Sequence, residues 1–190
     1  MPLRKVVVIG PESTGKSSLC EALAVRFHSE WVREYAREYL EEHGMGYGYD
    51  TLSTIARGQL ALEDSGVERS RDEAGAVSRE KGETRGDGLL FIDTDLYVIK
   101  VWSEYVFGRC EAWVLDEIVR RKYDAYLLCN TDLPWAHDPL REYPDPGVRE
   151  RLYHIYKDLL VNQSLPWAEV SGVGNERVEG AIAAVERLFG

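Results

Sequence analysis

The segment that most restricts this chain is Gly10-Pro-Glu-Ser-Thr-Gly-Lys-Ser17, which satisfies the pattern GxxxxGK[ST] in full. It lies between a β-branched run, Val6 to Ile9, and a stretch from Lys16 to Phe27 with apolar residues at Leu19, Leu23 and Phe27. The first reads as a buried parallel strand and the second as an amphipathic helix. A strand, a glycine loop and a helix in that order form an anion cradle. The successive backbone N–H groups make a concave nest, and the helix dipole adds positive potential. Gly10 and Gly15 admit backbone angles and close approach that a side chain would block. Lys16 is expected to reach the β and γ phosphates of a nucleotide, and the Ser17 hydroxyl to ligate Mg²⁺. Glu12, Ser13, Thr14 and Ser18 are expected to contribute to the same nucleotide site.

Downstream, strand-like and helix-like segments alternate. Short strands are expected at Trp31 to Arg33, Leu89 to Ile92, Ala125 to Cys129 and Trp167 to Val170. Helical patterns cover Tyr35 to His43, Thr51 to Glu63, Leu96 to Phe107, Glu111 to Arg121, Val148 to Leu160 and Glu176 to Phe189. The alternation predicts an α/β three-layer fold: a central, mostly parallel sheet with helices on both faces. The 190 residues suit one domain. Residues 68–88 are charged and Gly-rich without an apolar period, and read as part solvated helix, part mobile insertion. Residues 131–146 hold Pro, Asp and Trp and read as a long loop of the kind that forms lids.

A phosphate loop needs a carboxylate at the tip of a neighbouring strand. Leu89 to Ile92 supplies one in Asp93, expected at the metal, although an Asp here is also a good helix cap. Asp95 is a candidate substrate contact. Glu34, after the second strand, is a candidate base for a substrate hydroxyl, and Arg37 shares its helical face; the bland alternative is a surface Glu–Arg pair. Arg141 in the loop, and also Arg149 just beyond it, are placed to neutralise charge on a transferring phosphoryl group; the loop residues Trp135 and Asp138 are placed to stack on a ring and to bind substrate. Gly174 and Asn175, after the last strand, are candidate contacts to the nucleotide base, or simply a strand-to-helix turn.

The net charge of -10 argues against a nucleic-acid partner, which would require clustered Lys and Arg. Cys20, Cys110 and Cys129 form no CxxC pair, so neither zinc nor a disulfide framework is suggested, and a reducing, cytoplasmic compartment is the simple inference. No apolar run approaches the ~20 residues of a membrane span, and no secretory leader is visible. Self-association as a homo-oligomer is left open. The four histidines show no metal spacing.

With these stretches in place, the chain resembles a known family. Gly10 to Ser17, Glu34-Tyr-Ala-Arg-Glu-Tyr39, Phe91-Ile-Asp-Thr-Asp95, Val101-Trp-Ser-Glu-Tyr105 and Leu127-Leu-Cys-Asn-Thr-Asp-Leu-Pro-Trp135 are similar, in the same order, to the ribosylnicotinamide kinase domain of NadR-type proteins, a P-loop NTPase fold. The resemblance implies transfer of the ATP γ-phosphoryl group to the 5′-hydroxyl of nicotinamide riboside, giving the mononucleotide. It implies Lys16 and Ser17 on the phosphates and Mg²⁺, Asp93 at the metal, and Glu34 or Asp95 near the ribose. It also implies Trp135 near the substrate ring and Arg141 in the lid. NadR-type proteins carry an adenylyltransferase domain with an HxGH-like signature. That signature is not among these residues, so synthesis of NAD from the mononucleotide is not expected. Two other readings stay open: a kinase for a different nucleoside, and a nucleotide-dependent switch that acts through a protein partner.

Overall fold

A computed structural model describes residues 3–80 and 88–189, with side chains outside 72–80. Five strands form one sheet: β1 (Arg4–Ile9), β2 (Glu30–Val32), β3 (Leu89–Asp93), β4 (Ala125–Cys129) and β5 (Trp167–Val170). Their order is β2-β3-β1-β4-β5 and every pairing is parallel. The central strand β1 carries Val6, Val7, Val8 and Ile9, all fully buried. Because side chains alternate along a strand, these four feed two separate cores. Val6 and Val8 pack with Leu19, Cys20 and Leu23 of α1 (Lys16–Phe27) and with Ala181 and Val185 of α7 (Gly174–Phe189). Val7 and Ile9 pack on the other face with Val101 of α4 (Leu96–Phe107) and with Leu152, Tyr156 and Leu160 of α6 (Pro146–Val161). Each fully buried aliphatic side chain contributes about 1.5–3 kcal/mol, which accounts for the three-layer arrangement.

The remaining helices build a smaller core beyond the edge of the sheet. Ala36 and Leu40 are the buried residues of α2 (Tyr35–His43). Ala36 joins Leu52, Ile55 and Ala56 of α3 (Tyr49–Glu80), Leu96 and Ile99 of α4, and Val114 of α5 (Ala112–Arg120). Helix α3 is far longer than the expected Thr51 to Glu63. Leu62 and Val67 pack against the sheet core, and a Cβ on Gly66 would lie 2.6 Å from Val32 Cγ2. The helix therefore continues because the sheet edge lies beneath it, and it carries the charged stretch as far as Glu80. The expected mobile insertion falls partly on residues 81–87, which lie outside the described residues. Helix α7 likewise starts two residues earlier than expected, at Gly174.

In such a sheet, ligands bind where the carboxyl ends of the strands open a crevice at the point of topological reversal. Here β1 lies between β3 and β4, and the loops leaving these strands are the phosphate loop, the Asp93–Asp95 turn and the long loop 130–145.

Candidate active site

The phosphate loop wraps the start of α1. Gly10 has φ of 146°, and a Cβ there would meet the Cys129 carbonyl oxygen at 2.7 Å, so only glycine lets the loop pass so close to β4. Gly15 is the N-cap of α1 with φ of 74° and no side-chain cap, which leaves the first-turn N–H groups free for an anion. The Thr14 hydroxyl donates to the Pro11 carbonyl (2.7 Å), and Lys16 Nζ donates to the same oxygen (3.0 Å). The loop is thus closed on itself, with the lysine across its mouth.

A cavity of about 330 Å³ is lined by this loop and by an aromatic wall. Its floor is Gly10 to Ser18; Glu34 and Arg37 of the α2 start, Trp102 and Tyr105 of α4, Tyr156 of α6 and Arg141 to Tyr143 of the long loop complete it. Tyr105 and Tyr143 meet edge to face at 5.5 Å. Trp102 donates its indole N–H to the Tyr47 hydroxyl (3.0 Å), which in turn donates to Glu142 Oε2 (2.7 Å). These aromatics are the part of the site that the sequence reading did not assign. Their signal was present in Trp102 and Tyr105, three residues apart on one helical face, but that spacing equally describes a core helix.

Asp93 ends β3 beneath the loop. It is fully buried behind Ser17 and is not itself among the cavity-lining residues, and neither carboxylate oxygen has a hydrogen-bond partner. Burial pushes its pKa up to about 7, helped by the charge of Glu34 and opposed by Lys16, the Ser17 hydroxyl and Arg37. A buried carboxyl with two orphan oxygens next to a serine hydroxyl fits a hard divalent cation. No group of three or more His, Cys, Asp or Glu side chains suited to a metal occurs among the described residues. A cation here would therefore draw most of its ligands from phosphate and water. The next residue, Thr94, has φ of 65°, uncommon for a β-branched side chain and characteristic of constrained sites.

One buried side chain holds the two acidic positions in register. Gln59 of α3 is 2% exposed. Its Oε1 accepts from Tyr35 N (2.8 Å), and its Nε2 donates to the carbonyls of Arg33 (3.3 Å), Asp93 (3.4 Å) and Thr94 (3.2 Å). The backbone flanking Glu34 is thereby tied to that of Asp93. No local pattern marks this glutamine, because all of its partners are 24 or more residues away.

Several expected site residues have other places. Asp95 is the N-cap of α4: Oδ1 accepts from Tyr97 N (2.9 Å) and Oδ2 from the Tyr126 hydroxyl (2.8 Å). It is 3% exposed and does not line the cavity, so the expected substrate contact is replaced by a capping and core role. Asp138 also stands off the cavity lining. It caps Leu140 N (2.9 Å) and pairs with Arg37 Nη2 (2.8 Å), another expected substrate contact and one that does line the cavity, and these bonds hold its pKa low. Trp135 does not line the cavity; its indole donates to Glu12 Oε1 (3.3 Å). The Glu12 carboxylate accepts from the long loop, and the residue also lines the cavity. Gly174 and Asn175 open α7 and are outside the lining. Nearby Arg177, which was assigned no role, is buried and donates to the Thr14 and Asn130 carbonyls (2.9 and 3.2 Å) and to Asp132 Oδ1 (2.7 Å). Arg149 is equally buried and donates to the Ser13 and Leu133 carbonyls (3.1 Å each). Both arginines brace the phosphate loop from behind, and Arg149 is no mobile lid arginine. Arg141 does line the cavity.

The parallel sheet, the phosphate loop and the acidic strand tip together define a P-loop nucleotide-binding fold. The chain belongs to the AAA domain family, whose model matches residues 5–177. Over 172 residues it is 26% identical to the trifunctional NAD biosynthesis/regulator protein NadR of Salmonella typhimurium, covering 88% of this chain and 38% of that protein. The same figures hold for NadR of Escherichia coli. The chain thus spans well under half the length of the curated relatives it matches. Among solved structures, a NadR protein in complex with NR superposes with a TM-score of 0.74 at 21% identity, covering 98% of this chain and 51% of that one. Thymidylate kinase from Ehrlichia chaffeensis gives 0.66 at 11% identity, with 98% and 100% covered. These likenesses establish the fold.

Proposed function

We propose that this protein is an ATP-dependent small-molecule kinase that transfers the γ-phosphoryl group to the 5′-hydroxyl of a nucleoside, and that the nucleoside is nicotinamide riboside. The observation that carries this reading is a cavity whose lining combines the phosphate loop, Glu34 and the aromatic residues Trp102, Tyr105, Tyr143 and Tyr156. Such a cavity suits a flat ring joined to a hydroxyl-bearing sugar. The similarity to NadR, and to a NadR structure holding NR, supports the choice of nucleoside. A NadR structure with NAD and AMP-PNP, matched at a TM-score of 0.69, supports ATP as the donor.

In this reading the backbone N–H groups of the phosphate loop, the Ser17 hydroxyl and the Lys16 ammonium bind and orient the donor phosphates. Glu34 accepts the proton of the attacking 5′-hydroxyl as its oxygen bonds to the γ-phosphorus and the bond to the β-phosphate oxygen breaks. Arg141 and Lys16 stabilise the charge on the equatorial oxygens. Ser17 and Asp93 would hold Mg²⁺, which neutralises phosphate charge when bound. The aromatic wall and the loop above it exclude water. The protein would work on small molecules in the cytoplasm, without a nucleic-acid partner. No helix of the described residues is long and apolar enough to cross a membrane.

The test is ADP release from Mg²⁺-ATP with a panel of nucleosides, with product masses recorded. Stimulation by nicotinamide riboside, with the mononucleotide formed, is the expected result. Stimulation by another nucleoside alone would keep the kinase and discard the substrate. Nucleotide binding with no nucleoside response would overturn the reading in favour of a switch.

A further inference from the structure

Glu12 lies inside the phosphate loop, where a negative charge opposes nucleotide binding. Yet it is not turned to solvent. Its Oε2 accepts from the backbone N–H of Glu142 (3.0 Å), and its Oε1 accepts from Tyr143 N (2.5 Å) and from the Trp135 indole (3.3 Å). The neighbouring Ser13 Oγ accepts from Ala136 N (3.0 Å) and from Arg141 Nη1 (3.3 Å). Five hydrogen bonds therefore run from the long loop to two adjacent side chains of the phosphate loop, across more than 120 residues of sequence. Ser13 holds φ of 58°, a left-handed geometry uncommon for a residue other than glycine. Buried Arg149, which donates to the Ser13 carbonyl (3.1 Å), completes the junction.

The residues so gripped belong to the cavity wall: Arg141, Glu142 and Tyr143 all line it. Glu142 is held twice, by Glu12 at its backbone and by the Tyr47 hydroxyl at its side chain. A carboxylate that accepts two backbone N–H groups and an indole N–H is a strong, charge-assisted anchor. We propose that Glu12 is a positioning residue that clamps the 135–143 loop to the phosphate loop. It thereby builds the acceptor wall onto the nucleotide floor and keeps water from the γ-phosphate while the nucleoside reacts. The inference rests on the kinase reading for its kinetic consequence, whereas the clamp itself is independent of it. It separates Glu12 from the residues that touch the nucleotide: losing the clamp impairs acceptor binding and coupling and leaves the phosphate grip in place.

Two measurements on Glu12→Ala and Glu12→Gln, both first checked for a cooperative melt, test this. The first is hydrogen exchange at the Glu142 and Tyr143 amides with Mg²⁺-AMP-PNP bound, which needs no acceptor. Protection in the wild type and exchange at least about tenfold faster in Glu12→Ala is expected, with Glu12→Gln intermediate because an amide oxygen still accepts. The second is the ratio of γ-phosphoryl transferred to water, read as free phosphate, to that transferred to the nucleoside. In Glu12→Ala the acceptor KM should rise about tenfold and the hydrolysis ratio should increase, with AMP-PNP affinity within about threefold of wild type. Equal amide protection in wild type and Glu12→Ala would overturn the clamp. So would a loss of AMP-PNP affinity as large as the loss of transfer, since Glu12 would then serve the nucleotide directly. A wild type that phosphorylates no nucleoside while showing Glu12-dependent protection would defeat the kinase reading and leave the clamp standing.

Discussion

Charge and proton placement decide behaviour at the scale of single residues. Glu34 opens α2 and lines the cavity, so Glu34→Gln keeps the shape and removes the proton acceptor. Turnover should fall about 10²–10⁴-fold with nucleotide affinity nearly unchanged; a change confined to the melting temperature would leave Glu34 only a surface helix residue. Asp95 offers a test of stability. Burial raises its pKa from 3.8 to about 7, against the opposing bonds from Tyr126 and Tyr97. A carboxyl with a raised folded-state pKa keeps its proton in the folded chain after the unfolded chain has lost it. Its stabilisation is therefore present in acid and declines as pH rises from about 4 to about 7. Asp95→Asn, which still caps α4, should flatten that decline by roughly 1 kcal/mol or more in denaturant titrations at several pH values. An unaltered pH profile would show that Asp95 ionises freely.

At the scale of elements, the long helix α3 governs the geometry of the site. Gly58 lies under Tyr35, and a Cβ there would come within 2.0 Å of the ring. Gly58→Ala should therefore push α2 from α3 and cost about 1–3 kcal/mol of overpacking, partly offset by the ~1 kcal/mol gain in helix propensity. The melting temperature should drop by several degrees, and turnover with it, because Tyr35 adjoins Glu34. One residue further on, Gln59→Leu would leave the Tyr35 N–H and the Thr94 carbonyl buried without partners, at about 1–3 kcal/mol each. Turnover should fall about 10²-fold, since Glu34 and Asp93 lose their common tether, while AMP-PNP affinity stays within about threefold. Equal losses of both would make Gln59 a general support of the fold.

The whole molecule is acidic, at a net charge of -10, yet it builds one local anion site from backbone N–H groups, a helix start and Lys16. Binding there is linked to folding. Mg²⁺-AMP-PNP at about 100 times its Kd should add about 2.7 kcal/mol and raise the melting temperature by roughly 5–10 °C for a chain of this size. Lys16→Ala should lose most of that shift. A full shift in the variant would place nucleotide binding outside the loop.

Much of this protein was legible in the sequence because the signals are local. The glycine loop, the apolar runs ending in Gly10 and Asp93, and the helical periods of α1, α2 and α4 each arise from steric and periodic preferences of neighbouring residues. They sufficed for the three-layer fold, the phosphate loop and the strand tip at Asp93. The tertiary structure alone decided which polar side chains pair. It tied Asp95 to Tyr126, Asp138 to Arg37, Glu12 to the long loop, and Gln59 to two distant chain segments at once. It also carried α3 past Glu63, because the sheet edge lies under Gly66 and Val67. Long-range hydrogen bonds leave no trace in local spacing. A carboxylate in a motif therefore reads as a ligand contact until the fold reveals the donors facing it.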